Sequence, residues 1–405
     1  MPTDAPSWNP FDPEFLIDPY PHYARLRELD PVHRTPLGPL IVTRYDDANQ
    51  VLRDPTTSVR RFETHEEAPV HMRELQQRRE ERPPSILGLD PPDHTRLRRL
   101  VQRTFTPRAI GRMREQTVSI VESLLDDLSG RDRIDLIADY AFVVPFTVIH
   151  RMLGLPDADM AKVREWSGAL TQTLEPFLSP EQVTAAMHAG EKMDTYLTDA
   201  IEWKRHRPGE DLLTALTEAE EEGDRLDSGE LLSMVSLLFI AGHETTVNLI
   251  GNGTHALLRH PEQMELVRSG LSDDETMTDE LLRYDSPVQT SGRRLTRDTV
   301  IGGVEVAADE MVLTALGSAN RDPAFWGDAA DTLDVTRAGA ARHLSFGSGV
   351  HHCLGAALAR MEGEIGITRL VRRFPDLALA DEPTYNARII LRGRETFPLI
   401  LGSAA

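Results

Sequence analysis

Cysteine is almost absent: Cys353 is the only one among 405 residues. A single thiol excludes an intrachain disulfide and any zinc site that needs several thiolates. The opening stretch, "MPTDAPSWNPFDPEF", has no basic region followed by an apolar core, so no secretory signal is expected. Nor is there an uninterrupted apolar run of about 18 residues. The nearest, "LLSMVSLLFIAGH", is short and ends in polar groups. The expectation is a soluble, cytoplasmic protein with no membrane contact. Proline and glycine, 27 of each, form no tract, and no repeat of fixed period occurs. With no linker to divide it, the chain reads as one domain over residues 1–405. Positive charge is also scarce: 44 Lys and Arg face 65 Asp and Glu, a formal net charge of -21. That balance argues against nucleic acid as a partner.

One segment runs against this balance. From His94 to Arg114, "HTRLRRLVQRTFTPRAIGRMR" holds seven arginines and no carboxylate. It reads either as a solvated basic helix face or as a cluster that holds an anionic group or an acidic partner.

Along the chain, "PYPHYARLREL" reads as a short helix and "GPLIVTRY" as a strand. The charged, turn-rich region that ends in "ERPPSILGLDPPDH" lacks apolar periodicity and reads as a long surface loop. From Thr95 to about Leu266 the apolar spacing of three and four predicts helices. After Pro287 short strands with turns are expected, in "TVIGGVEV", "EMVLTALG", "ARIILRG" and "TFPLIL". The fold class is therefore mainly α with a smaller β-rich part (α+β).

The clearest helix starts after "EAEEEGD", where Asp227 and Glu230 have capping-box spacing, and it stops at His260-Pro261. Gly242, His243, Glu244, Thr245 and Thr246 interrupt its apolar run. Glycine there costs about 1 kcal/mol relative to alanine, and buried Glu and Thr need partners. Such a break points to a ligand or cofactor against the helix, with a local distortion of the backbone. A zinc-protease reading of "HETTV" fails, because Val247 stands where the second histidine is required.

The cysteine lies in "SFGSGVHHCLG", Ser345 to Gly355. Gly347-Ser348-Gly349 looks like a phosphate loop, but His352 replaces the third glycine of a dinucleotide fingerprint and no Lys-Ser/Thr follows. A metal-bound thiolate explains more of the residues. Glycines let backbone N–H donors approach the sulfur. "LGAALARMEGEIGITRLVRRF" reads as a helix, which places Cys353 near the N-terminal end of a helix dipole that favours negative charge.

At this point the chain resembles the cytochrome P450 family, the haem-thiolate monooxygenases. Phe346, Gly347, Gly349, His351, Cys353 and Gly355 match the family's cysteine signature. Ala241, Gly242, Glu244 and Thr245 match its oxygen-side helix pattern, and Glu280 and Arg283 in "ELLR" match its Glu-x-x-Arg pair. The order and spacing of the three motifs also fit, and the resemblance covers essentially the whole chain.

The resemblance implies a P450 fold that holds haem b between the long helix and the cysteine loop, with Cys353 as the iron ligand. Ala241 and Gly242 leave space for haem and oxygen, Thr245 organises water and Glu244 assists proton delivery. The haem propionates fall to His94, Arg98, Arg293 and His351. Phe346, Gly347 and Gly355 complete the haem-binding loop. Leu237, Val288, Ile389 and Ile390 are the candidates for substrate contact, each with core packing as the alternative. The implied reaction inserts one atom of O2 into a small, largely apolar organic molecule. Electrons come from NAD(P)H through a separate ferredoxin and ferredoxin reductase, and Arg103 and Arg112 are candidates to face that ferredoxin. A peroxide-using haem enzyme or a haem-binding sensor is the alternative, which the Glu244-Thr245 pair speaks against. The sequence departs from the family in the brace that Glu280 and Arg283 begin. Thr332 and Leu333 stand where Arg and Phe are expected, so either another arginine substitutes or the brace is weaker.

Overall fold

The computed structural model describes residues 7–36, 38–60, 69–102, 105, 107–221 and 224–404. By its internal contacts the chain forms two compact units. The first comprises residues 1–58, 117–144 and 245–405, and the second residues 59–116 and 145–244. The chain passes between them at residues 58/59, 116/117, 144/145 and 244/245. None of these crossings is a linker rich in Gly, Ser or Pro.

The first unit carries the sheets. Strands Val32–Arg34, Leu40–Val42, Met311–Ala315 and Thr290–Arg294 pair in that order into a four-stranded sheet. Leu40–Val42 runs parallel to Met311–Ala315, and the other pairings are antiparallel. One apolar core of this unit packs Val42, Val51, Leu52, Leu295, Val312 and Trp326. The helix Asp274–Tyr284, which carries the Glu-x-x-Arg pair, contacts the helix Ala356–Arg373 that follows the cysteine. The hairpin Thr299–Ile301/Val304–Val306 appears where "TVIGGVEV" predicts it.

The second unit is almost wholly helical. Met160–Gln172 packs on Pro180–Arg205, whose first turn is closed by a capping box between Ser179 and Gln182.

Two local expectations are corrected. The charged region is not all loop, because Val70–Glu80 is a helix followed by a short turn at Ile86–Gly88. Residues 61–68 of that region lie outside the described residues. The helix has little apolar periodicity to betray it. Leu75 buries against Leu178 and Val183, while Arg78 and Arg82 pair with Glu191 and Asp194 of the helix Pro180–Arg205. The second correction concerns "ARIILRG", which forms no strand. Only Leu391 bridges to Val288, and Ala387 takes a positive φ of 50°. The course of this segment is set by buried charge instead. Arg392 donates to Asp285 and to the carbonyls of Leu16 and Ile17, and Arg394 reaches Asn252 and His255. Between the two arginines, a Cβ on Gly393 would fall on Asn248 Oδ1, so any other residue there requires the Asn248 side chain to move.

The long helix runs Ser228–Arg259, 32 residues. Asp227 accepts from the Glu230 N–H at 2.8 Å, and Glu230 accepts from the Asp227 N–H at 3.1 Å, which forms the expected capping box. By length and composition alone the helix would suffice to cross a membrane. Its buried Leu231, Met234, Val235, Phe239, Val247, Ile250 and Leu257 give it the character of a core helix.

Candidate active site

In the first unit, Phe346, Gly347, His351, Cys353 and Gly355 share one loop ahead of the helix Ala356–Arg373, with Gly355 at its N-cap position. Gly347 and Gly349 have φ of 67° and 71°, the left-handed region that glycine enters without strain. A Cβ on Gly349 would also lie 2.5 Å from the Leu52 carbonyl oxygen, so this turn is pressed onto backbone. The Cys353 N–H donates to the Phe346 carbonyl at 2.9 Å and closes the loop. The thiol itself is exposed, which is unusual for a residue type that is ordinarily buried. An exposed thiol held on a fixed turn ahead of an 18-residue helix suits a thiolate ligand. His351 is half-buried at the end of the turn Gly349–His351, and Arg293 is buried on the strand Thr290–Arg294. His352 is exposed and lies edge-on to Phe346.

The Glu-x-x-Arg pair belongs to the same unit, and its missing third member is identified. Glu280 and Arg283 are fully buried and joined by two hydrogen bonds, at 2.7 and 2.8 Å. Arg337 Nε reaches both carboxylate oxygens of Glu280, at 3.2 and 3.1 Å. It therefore does the work that the family pattern assigns to the position of Thr332. Thr332 contributes only its carbonyl, which accepts from Arg283 and Arg337. Nearby, burial alone would raise the Asp279 carboxyl. Hydrogen bonds from His343 and Arg360 overcome that and hold it below the usual carboxylate range.

In the second unit, His94 and Arg98 lie one turn apart on the helix Asp93–Gln102. His94 is buried, and burial followed by the Arg98 charge lowers its pKa. Arg96, on the same helix, pairs with Glu230. Arg112 makes an exposed ion pair with Glu210 at 3.3 Å, and Arg103 lies outside the described residues.

The polar break in the long helix brings no backbone distortion, because Ser228–Arg259 is α-helical throughout. Side-chain partners relieve it instead. His243 Nδ1 meets the Phe239 carbonyl at 2.7 Å, and Ser167 Oγ stands 2.9 Å from Glu244 Oε1 and 3.0 Å from His243 Nε2. Ala241 is exposed although Phe239 and His243, two residues to either side, are fully buried. A Cβ on Gly242 would lie 3.0 Å from Ile149 Cγ1, a tight contact. Thr245 is half-buried and Thr246 buried.

Of the substrate candidates, Leu237 belongs to the second unit and Val288, Ile389 and Ile390 to the first. Leu237, Val288, Ile389 and Ile390 are each half-buried. Val288 packs on the Val42–Trp326 core and Ile389 on the core that contains Phe15, Tyr20 and Tyr23. Backbone bonds from Gln289 N to Ile390 O and from Arg392 N to Pro287 O tie the two segments together, each at 2.9 Å. Sequence reasoning missed Ser167, one of several polar residues on the helix Met160–Gln172, and it missed the cluster around Asp285. No spacing rule marks either.

The family model "Cytochrome P450" matches residues 39–272 and 275–387. Cytochrome P450 107B1 of Saccharopolyspora erythraea is 41% identical over 411 residues, covering 99% of each chain. The vitamin D(3) 25-hydroxylase of Pseudonocardia autotrophica is 41% identical over 405 residues, covering 97% of this chain and 96% of its own. Among solved structures, the Bacillus subtilis bacillaene polyketide synthase cytochrome P450 PksS is 35% identical. It superposes with a TM-score of 0.87 over 98% of this chain and 100% of its own. These matches run through the cysteine loop, the long helix and the Glu-x-x-Arg helix alike. The chain belongs to the cytochrome P450 family, and is a monooxygenase that binds haem b through a cysteine thiolate.

Proposed function

We propose that Cys353 is the haem ligand and that the protein inserts one atom of O2 into a largely apolar organic molecule of sterol-like or polyketide character. The observation that carries the ligand assignment is the exposed thiol of the chain's only cysteine, fixed on a glycine turn ahead of a long helix. The substrate class draws on two relatives, one named for vitamin D(3) and one for a polyketide. When bound, haem supplies the iron at which O2 is activated, with electron density from the thiolate. The remaining roles belong to side chains of this protein. Glu244 holds a proton at its carboxylate and Thr245 orders the water that carries it to the oxygen side. His94, Arg98, Arg293 and His351 hold the propionates by charge-assisted hydrogen bonds. Leu237, Val288, Ile389 and Ile390 offer the apolar contacts that orient the substrate. Ferredoxin and its reductase deliver the electrons in the cytoplasm, and residues 1–405 act as one functional domain.

The deciding measurement is the carbon monoxide difference spectrum of the reduced holoprotein. A thiolate-type Soret band that is lost in Cys353→Ala supports the assignment, and an imidazole-type band in undamaged wild-type protein refutes it. Spin-state titration with vitamin D3 as probe tests the substrate class. Thr245→Ala is expected to divert NAD(P)H from product to peroxide.

A further inference from the structure

Glu244 shares one serine hydroxyl with a buried histidine, and the hydrogens of that contact can be counted. Ser167 Oγ lies 2.9 Å from Glu244 Oε1 and 3.0 Å from His243 Nε2. His243 Nδ1 lies 2.7 Å from the Phe239 carbonyl, which only accepts, so Nδ1 carries a hydrogen. Ser167 and His243 are fully buried, and the Glu244 side chain retains 16% exposure. Phe146 and Phe239 stand against the imidazole ring. Two further titratable groups packed on those rings, His150 and Tyr196, are neutral. Burial lowers the His150 pKa and raises that of Tyr196 to about 12.

A hydroxyl has one hydrogen to donate. If it points to Glu244, then Nε2 must donate to the serine oxygen, and His243 is an imidazolium. If it points to Nε2, then Glu244 must donate, and is a carboxylic acid. If it points to the Arg164 carbonyl, its third neighbour at 3.3 Å, then both must donate. A neutral imidazole beside an ionised carboxylate would leave lone pair facing lone pair across one of the short contacts, which is costly in a buried site.

We infer that His243, Ser167 and Glu244 form a proton store, in which Ser167 passes one proton between His243 and Glu244. The two main forms interconvert by a concerted shift. The hydroxyl hydrogen moves to Glu244 Oε1 while the Nε2 hydrogen moves to Ser167 Oγ, leaving neutral histidine and a protonated acid. No atom or net charge is gained. Because Nδ1 is committed to the Phe239 carbonyl, His243 passes no proton on through that nitrogen. Glu244 can thus release a proton and recover one from His243. This inference rests on the reading of Glu244 as the proton donor, with Ser167 and His243 as positioning residues behind it.

The test uses the ferrous carbon monoxide form of the holoprotein at neutral pH. Infrared spectroscopy reports a protonated Glu244 as a deuterium-sensitive carboxyl stretch, isolated by subtracting the spectrum of Glu244→Gln. Nitrogen-15 NMR of labelled histidine reports His243 as an imidazolium, assigned by its loss in His243→Gln. One of the two signals is expected in the wild type. Ser167→Ala is expected to abolish or shift that signal, and Ser167→Thr, which restores a hydroxyl, to retain it. Absence of both signals from the wild type, or a Ser167→Ala spectrum identical to it, overturns the inference. These signals report the store itself. The Thr245→Ala coupling assay reports the oxygen-side reading, so the two fail separately.

Discussion

The relocated brace gives the sharpest test of the side-chain geometry. Glu280 and Arg283 have no exposed side-chain surface, and Arg337 retains 11%. Replacing Glu280 with Gln leaves two cations around a buried site with no anion. Breaking a buried pair in this way costs about 3–5 kcal/mol. Replacing Arg337 with Ala is milder, because the Glu280–Arg283 pair remains neutral. The lost contacts are two long bonds to Glu280, at 3.1 and 3.2 Å, and two to the Ala329 and Thr332 carbonyls. Both carbonyls keep another donor, from Arg283 and from Thr332 itself. Charged hydrogen bonds of this kind put the cost near 2 kcal/mol. Thr332→Ala removes only an exposed hydroxyl bond to Ala329 and should stay within about 0.5 kcal/mol. The expected order is Glu280→Gln, then Arg337→Ala, then Thr332→Ala, read from urea midpoints of the holoprotein at unchanged slope. The double variant Glu280→Gln/Arg337→Ala should cost less than the sum of the singles, since Arg337 no longer faces an empty site. If Arg337→Ala proves no worse than Thr332→Ala, or the double variant is additive, Arg337 is not the third member of the brace.

Three further outcomes are expected. Burial pushes the Glu362 carboxyl well above its ordinary 4.5, against a small opposing pull from Thr246. The folded state therefore holds a proton that the unfolded chain releases, and stability should fall as pH rises through and above about 4.5, by at most about 1.4 kcal/mol per pH unit from this group. Glu362→Gln should flatten that slope in pH-resolved urea melts. At Asp285, burial raises the carboxyl but Arg392 and Arg394 outweigh it and hold it low. Asp285→Asn strands both arginines and should cost about 3–5 kcal/mol in the same melts. Gly349→Ala, with its left-handed φ and a Cβ 2.5 Å from backbone oxygen, should destabilise by more than Gly347→Ala, which has the φ alone and no atom nearer than 4.0 Å. Haem retention during gel filtration checks this order.

How much of the protein was legible beforehand depended on the kind of interaction involved. The long helix, its Asp227/Glu230 cap and the hairpin at Thr299–Val306 were readable because their signals lie in neighbouring residues. The helix Val70–Glu80 was not, since ion pairs and one buried leucine anchor it and no apolar stripe announces it. "ARIILRG" has the composition of a strand, yet Asp285, more than 100 residues away in sequence, sets its course through Arg392. The missing brace arginine is legible as a gap, and its replacement five residues on follows only from which guanidinium reaches Glu280 in space. At the site, the cysteine loop was legible as a pattern of glycines around one thiol. The serine between His243 and Glu244 was not, because a hydrogen bond between residues 167 and 244 leaves no trace in spacing.

The cap of the long helix also sets a rule for chain length. Glu230 accepts the Asp227 N–H and at the same time pairs with Arg96, between His94 and Arg98. One carboxylate therefore times the start of one helix and anchors another. An insertion or deletion just ahead of Asp227, away from the helix that carries Arg96, leaves the partners of both bonds in place. A single residue added between Asp227 and Glu230 would break both at once. Variation in length among natural or engineered versions of this chain should accordingly spare the stretch from Asp227 to Glu230.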